Sequence, residues 1–407
     1  MNTLNPTPKN SAQLHIALVT ETYLPEVNGV AITIARIVEG LLQRGHRIHL
    51  LRPRQHAQDV AAQHDGYEET LFSGMPIPGY ATLNIGLPAK ARLVKLWTAQ
   101  RPDIVHIATE GPLGWSALAA ARKLKLPVSS DFHTNFQNYT GHYGMAWLRK
   151  PMAAYLRYFH NKAACTLVPT RALHHELTQD GYQNVRVVAR GVDTELFNPA
   201  KRDAALRSAW GAAENTPVVM LVSRIAAEKN LPVVFEAFAN MQQVEARAKL
   251  VIVGDGPARA ELQAQHPNVI FAGMQTGEEL AKHYASGDIF LYPSLTETYG
   301  NVTIEAMASG LATLAYDYAA AHQHIRHNVN GLLAPYADTA SFIAQAQGLM
   351  TDAARVKSLG QAARDTVAAL TWQHIMGDME AVLFDTVRTQ GEKHVSSQKL
   401  IASATTD

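Results

Sequence analysis

Short apolar runs alternate with amphipathic stretches along most of the chain. His15–Val19 is a run of strand length, and Ala31, Ala35, Val38 and Leu42 then recur at helical spacing until Gly45. Arg47–Leu51 restarts the strand pattern, and Ile104–Ala108, Val128–Asp131, Thr166–Pro169 and Val185–Val188 continue it. Buried runs separated by helices predict βαβ units and a mostly parallel sheet. A charged, weakly periodic linker, Pro199–Thr216, interrupts the pattern. It begins again at Val218–Ser223, Lys249–Val253, Val269–Ala272, Ile289–Tyr292 and Leu311–Ala315. The expected architecture is α/β, with two Rossmann-like parallel-sheet domains over residues 14–198 and 199–372. They would face each other across a central cleft, where ligands tend to bind. A terminal helix is expected over 373–390, and disorder over 1–13 and 391–407.

Composition narrows the classes. The chain has 47% hydrophobic and 17% charged residues, as a globular enzyme does, and its formal net charge of +1 offers no global attraction for nucleic acid. Cys165 is the only cysteine, which excludes an intramolecular disulfide framework and fits a reducing cytoplasm. Residues 1–13 lack the apolar core of a secretory signal, and no apolar run reaches the roughly 18 residues of a membrane span. The expected location is therefore cytoplasmic. The histidines are scattered; His322, His324 and His327 form the densest group, with no carboxylate seen to complete it. No Asp-x-Asp pair is present to cradle a nucleotide-bound magnesium, and neither a metal nor a cofactor is expected.

The chemistry-bearing segments all follow apolar runs. Glu297 and Glu305 stand in Ser294–Gly310, directly after Ile289–Tyr292, so one falls in a strand-to-helix loop and the other about two turns into the helix. Carboxylates accept paired hydroxyl donors, which a sugar ring and a ribose both carry. The plainer role of two such acids is to favour a helix dipole. Arg224 and Lys229 lie in Ser223–Asn230 after another strand, where a guanidinium fork and a point charge suit phosphate oxygens. Gly29 opens a helix after Pro25–Asn28, and amides at a helix start can approach an anion. His133 ends a strand where its side chain would point into the cleft, and Arg190 either faces the cleft or caps the first domain. Gly254–Arg259 begins like a dinucleotide fingerprint but has Arg259 in the third glycine position, so it reads as a tight turn. Phe132–His175 contains no acid, while Arg149, Lys150, Arg157, Lys162 and Arg171 interleave with Met145, Trp147, Leu148, Met152, Tyr155, Leu156 and Phe159. Over 139–171 this pattern suits either an anionic membrane surface or a helix packed on the core.

Together these segments resemble the retaining glycosyltransferases of family 4, which have the GT-B fold. The resemblance spans about residues 14–385 and rests on Gly29, Phe132–Thr134, Arg190–Asp193, Ser223–Asn230, Gly254–Pro257 and Glu297–Ala306. It implies that the first domain takes the acceptor and the second the donor, a nucleotide diphosphate sugar linked to GDP or UDP. It further implies that Arg224 and Lys229 hold the diphosphate, Glu297 the transferred sugar and Glu305 the ribose. Gly29 would lie by the β-phosphate and His133 by the sugar. Arg190, Thr298, Tyr299, Gly300 and Asn301 would complete the donor site, with His133, Arg224, Lys229 and Glu297 carrying the catalysis. The Arg190–Asp193 motif is most similar to members that glycosylate lipids, implying a lipid or glycan acceptor and a peripheral place on the inner face of the membrane. Asp317–His322 departs from the Gly-Gly turn and acidic residue often found there. Two other classes fit the same residues: a nucleotide-sugar epimerase of the same shape, and a non-catalytic module that binds sugar or lipid.

Overall fold

A computed structural model of the protein describes residues 13–26, 28–77, 80–133 and 149–404. Two mostly parallel sheets form two lobes. The first sheet has the strands β1 (His15–Val19), β2 (Arg47–Pro53), β3 (Gln63–His64), β4 (Tyr67–Phe72), β7 (Ile104–Ile107), β8 (Val128–Asp131), β9 (Cys165–Val168) and β10 (Val185–Val187), in the order β10-β9-β8-β7-β1-β2-β4-β3. Only β3 runs antiparallel. A separate hairpin, β5 (Gly74–Ile77) and β6 (Tyr80–Gly86), stands beside it. The second sheet is β11 (Val218–Val222), β12 (Lys249–Val253), β13 (Ile270–Gly273), β14 (Ile289–Tyr292), β15 (Ala312–Tyr316) and β16 (Leu332–Ala334), in the order β13-β12-β11-β14-β15-β16.

The expected strands are found within a residue or two. β3 to β6 and β16 are additions to the expected set. β4 mixes Glu68, Glu69 and Thr70 with its apolar residues, and buried Arg52 makes this tolerable by bonding Glu69 at 2.9 Å and Asp59 at 2.6 Å. The Gly29–Gln43 helix is capped by Asn28, whose side chain accepts from the Ala31 amide. Its buried face is Ala31, Ile34, Ile37, Val38 and Leu41, turned slightly from the expected one, because Ala35 and Leu42 are only half-buried.

Two expected boundaries move. Val192 and Phe197 pack into the core of the second lobe, so the chain leaves the first lobe before residue 198. The expected linker is built structure: it holds the Ala204–Ala209 helix, and buried Arg207 binds the carbonyls of Ser286 at 2.7 Å and Thr216 at 2.7 Å. The terminal helix is Trp372–Ala404, so the tail expected to be disordered from residue 391 is helical as far as Ala404. Ile375, Met376, Met379 and Leu383 return that helix to the first core. The chain thus crosses between lobes twice, side by side. The Val192 amide bonds the Leu370 carbonyl at 2.8 Å, and a β-carbon on Gly191 would meet the Trp372 nitrogen at 2.7 Å.

Candidate active site

The two sheets point their carboxyl ends at each other, and the loops beyond those ends meet. β14 is a continuous apolar run buried along its length, and its chain emerges as Pro293–Gly300 before the Asn301–Ala308 helix. Gly300 caps that helix at φ 90°, a conformation that favours glycine. Glu297 lies in this loop, half-buried, and its Oε1 accepts from Ser294 Oγ at 2.8 Å, from the Tyr292 hydroxyl and from Lys229 Nζ. Lys229 Nζ is also 3.3 Å from the Tyr292 hydroxyl and 3.5 Å from Ser294 Oγ. The structure therefore joins two residues 68 positions apart in sequence. Burial and the neighbouring Glu297 push the Tyr292 phenol far above its ordinary range, so it remains a donor.

Lys229 sits on a single 3₁₀ turn, Ala227–Lys229, followed by left-handed Asn230 and the Leu231–Val244 helix. Half-buried Arg224 precedes it in the loop after β11. The Gly254–Pro257 turn braces that loop. The Ile225 amide bonds the Asp255 carbonyl at 2.9 Å, and a β-carbon on Gly256 would fall 2.3 Å from the Ile225 oxygen. The glycines here serve backbone packing, in line with the tight-turn expectation.

Glu305 is one turn beyond Asn301, half-buried, and accepts from the Tyr284 hydroxyl at 3.0 Å. Burial pushes its carboxyl up to about 7. Across the cleft, the Gly29 carbonyl accepts from Thr33 Oγ1 at 2.7 Å, and Thr33 Oγ1 lies 3.4 Å from Asn301 Nδ2. A β-carbon on Gly29 would meet nothing within 4 Å, so neither packing nor backbone conformation requires glycine there.

The first lobe contributes a buried cluster that its sequence signals only in part. The His133 imidazole turns back from the cleft, with Nε2 3.0 Å from Asp131 and Nδ1 3.1 Å from Arg190 Nη2. Arginine can only donate, so Nδ1 accepts and the ring proton faces Asp131. Burial, then Arg190, lowers the affinity of His133 for a second proton. Burial opposes the charge on Asp131, yet His106 and His133 hold its carboxyl well below the usual range. What meets the second lobe is backbone. The His133 carbonyl accepts from Thr298 Oγ1 at 2.6 Å, and the Arg190 carbonyl lies 3.3 Å from the Tyr299 hydroxyl. Asp131 escapes sequence reasoning as a site residue; its signal is a lone acid ending the otherwise uncharged strand β8. Glu21 escapes it too. It is buried after β1 and accepts from the Leu113 amide at 2.9 Å and the Gly86 amide at 2.5 Å.

The histidine group near residue 322 is drawn apart. His322 pairs with Asp317 at 2.7 Å, so a carboxylate does stand beside the group, contrary to expectation. His324 faces the Tyr299 hydroxyl at 3.0 Å, while His327 Nδ1 accepts from the Leu333 amide at 3.1 Å. Among the described residues, no three His, Cys, Asp or Glu side chains are placed to hold a metal ion.

Two Rossmann-like lobes with loops converging on a shared cleft define the GT-B architecture. A sucrose-phosphate synthase from Thermosynechococcus elongatus has the same fold, with a TM-score of 0.75 at 19% identity over 93% of this chain and 100% of that one. Residues 27–196 match the family model described as Glycosyltransferase Family 4, and residues 216–352 match Glycosyl transferases group 1. A GDP-mannose-dependent alpha-mannosyltransferase of Mycobacterium tuberculosis is 32% identical over 91% of this chain and 97% of its own length. An alpha-monoglucosyldiacylglycerol synthase of Streptococcus pneumoniae is 30% identical over 74% of this chain and 71% of its own. The chain belongs to glycosyltransferase family 4 and is a hexosyltransferase.

Proposed function

We propose that the protein moves a hexose from a GDP- or UDP-linked sugar to an acceptor hydroxyl with retention at the anomeric carbon. The observation that carries this reading is the convergence of Lys229, Tyr292 and Ser294 on Glu297 beside the start of the Asn301–Ala308 helix. Lys229 and Arg224 bind the diphosphate, which gains charge as the glycosidic bond breaks; fixed cations stabilise that charge in the transition state. Lys229 exchanges Glu297 for a phosphate oxygen, and Glu297, still held by Tyr292 and Ser294, takes hydroxyls of the sugar. Glu305 grips the ribose, and the backbone of Thr298–Asn301, with Gly29 opposite, surrounds the phosphates. His133 and Arg190 shape the sugar side of the cleft. The leaving phosphate accepts the acceptor's proton, so the reading uses no covalent enzyme intermediate.

The acceptor in this reading is a membrane lipid or a lipid-linked glycan, as the name of the monoglucosyldiacylglycerol synthase relative suggests. The described part of the acid-free stretch supports it only on one face. Leu156 and Phe159 of the Arg149–His160 helix are core residues, and Met145, Trp147 and Leu148 lie outside the described residues. The outer face carries Tyr155 and Tyr158, with Trp115 5.9 Å from Tyr158 and Lys162 4.9 Å over the Tyr158 ring. Aromatics beside cations suit the headgroup region of an anionic bilayer. Among the described residues, no helix is long and apolar enough to cross a membrane.

The test is incubation with GDP- and UDP-linked hexoses, with and without anionic vesicles containing diacylglycerol. Nucleoside diphosphate release, with an α-linked product from an α-linked donor, is the expected result. Interconversion of the donor without release would instead identify an epimerase. No turnover together with nucleotide-sugar binding would identify a binding module. Failure to sediment with the vesicles at low salt would remove the membrane surface from the proposal.

A further inference from the structure

The first lobe meets the Glu297 loop through two backbone oxygens. The His133 carbonyl accepts from Thr298 Oγ1 at 2.6 Å, and the Arg190 carbonyl accepts from the Tyr299 hydroxyl at 3.3 Å. The two donors are neighbours in sequence, directly after Glu297. The two acceptors are 57 positions apart, yet their side chains share one buried anchor: Asp131 stands 3.0 Å from His133 Nε2 and 3.7 Å from Arg190 Nη2. With both side chains buried and tied down in the first lobe, neither carbonyl is free to drift. His133 lies on neither of the two chain crossings, so the Thr298 bond joins the lobes independently of the covalent connections.

The second lobe holds its own side of the contact. The Tyr299 carbonyl accepts from the Ala320 amide at 2.8 Å, and the Tyr299 hydroxyl lies 3.0 Å from His324 Nε2. Burial lowers the His324 ring to about 4, so near neutral pH it carries a single N–H. A carbonyl can only accept, and a phenol has one proton to give. The arrangement that satisfies both contacts has His324 Nε2–H donating to the phenol and the phenol donating to the Arg190 carbonyl. A relay of hydrogen bonds thus runs from the Ala319–His324 helix through the Glu297 loop to the first lobe.

We propose that Thr298 and Tyr299 are positioning residues: their hydroxyls set the Glu297 loop against the first lobe, so that the transferred sugar is presented to the acceptor hydroxyl. The inference rests on the donor reading above and deepens it, by giving these two side chains a task other than touching the donor. That task uses only the hydroxyls, so it does not compete with the loop backbone for the phosphates. It also gives the buried Asp131 cluster a purpose, since the cluster fixes both receiving carbonyls. Reaction between groups carried on two lobes depends on such alignment, and a small misplacement of one lobe slows it.

The experiment compares the wild type with Thr298→Val, which keeps the shape and removes the hydroxyl, and with Thr298→Ser, which keeps the hydroxyl. Lys95→Cys and Gln263→Cys, exposed and one on each lobe, carry fluorophores for energy transfer in all three, while Cys165 is buried. Thr298→Val should raise the ratio of open to closed molecules by about 2–13-fold, the value of one net hydrogen bond, and lower kcat/KM for the preferred nucleotide hexose by a similar factor. Thr298→Ser should restore both readings, and Tyr299→Phe should shift both in the direction of Thr298→Val. Wild-type lobe spacing in Thr298→Val would overturn the inference: with normal turnover the contact is idle, and with reduced turnover Thr298 touches the donor itself. Absence of turnover of any nucleotide sugar by the wild type would instead defeat the underlying donor reading. The spacing comparison needs no turnover, so it separates that failure from failure of the contact.

Discussion

Replacing Lys229 with alanine tests the centre of the proposal. Lys229 Nζ touches Glu297 and lies 3.3 Å from the Tyr292 hydroxyl, with side-chain exposures of 12% for Lys229 and 15% for Glu297. A cation so placed can deliver one charge-assisted donor to a departing diphosphate. Loss of one donor of this type costs about 2.7–4 kcal/mol in the transition state, or roughly 10²–10³ in turnover. The charge develops as the bond breaks, so kcat and kcat/KM should fall together, with little change in KM. Stability should fall somewhat less. Tyr292 and Ser294 continue to donate to Glu297, which leaves a loss of about 1–3 kcal/mol. Steady-state nucleotide release gives the kinetic constants, and urea unfolding confirms that the variant is folded. A folded Lys229→Ala enzyme whose kcat stays within about threefold of wild type would refute the phosphate role.

Four further outcomes are expected. Burial raises the Glu305 carboxyl to about 7 from 4.5, so the folded state keeps a proton that the unfolded chain has released. That contribution is complete below about 4.5 and is lost as pH rises through about 7; Glu305→Gln should therefore gain thermal stability over wild type increasingly from pH 5 to pH 8, and a pH-independent gap would contradict the assignment. Asp131→Ala should cost about 3–5 kcal/mol in urea unfolding, because it strands buried Arg190, 3.7 Å away, without a counter-charge; a loss under about 1 kcal/mol would show that the cluster is held otherwise. Gly256→Ala should displace the Arg224 loop and reduce turnover, since its methyl would lie 2.3 Å from the Ile225 oxygen, whereas Gly29→Ala should leave stability unchanged within about 0.5 kcal/mol and weaken only donor binding.

Much of this arrangement is legible in the order of amino acids alone. Strands such as β11 and β14 are uninterrupted apolar runs, because both faces of a parallel sheet are covered by helices. The loops after β11 and β14 stand out for the same reason: charge appears abruptly where burial ends, at Arg224 and Glu297. A strand near the sheet edge such as β4 is obscured because its Glu69 is buried against Arg52, 17 positions away in sequence. The orientation of His133 is hidden as well. Its ring direction is set by Asp131 and Arg190, two and 57 positions away, which no local pattern connects.

Periodicity and the chemistry at strand ends by themselves determined that two α/β sheets would form and which loops would bear the charged groups. Those features depend on interactions between residues close in the chain, so they survive reading one segment at a time. Tertiary structure alone decided that Lys229 rests on Glu297 and that the last helix returns to the first lobe. Each is a contact between segments far apart in sequence, fixed only when the whole core packs and the two chain crossings beside Gly191 bring the lobes together.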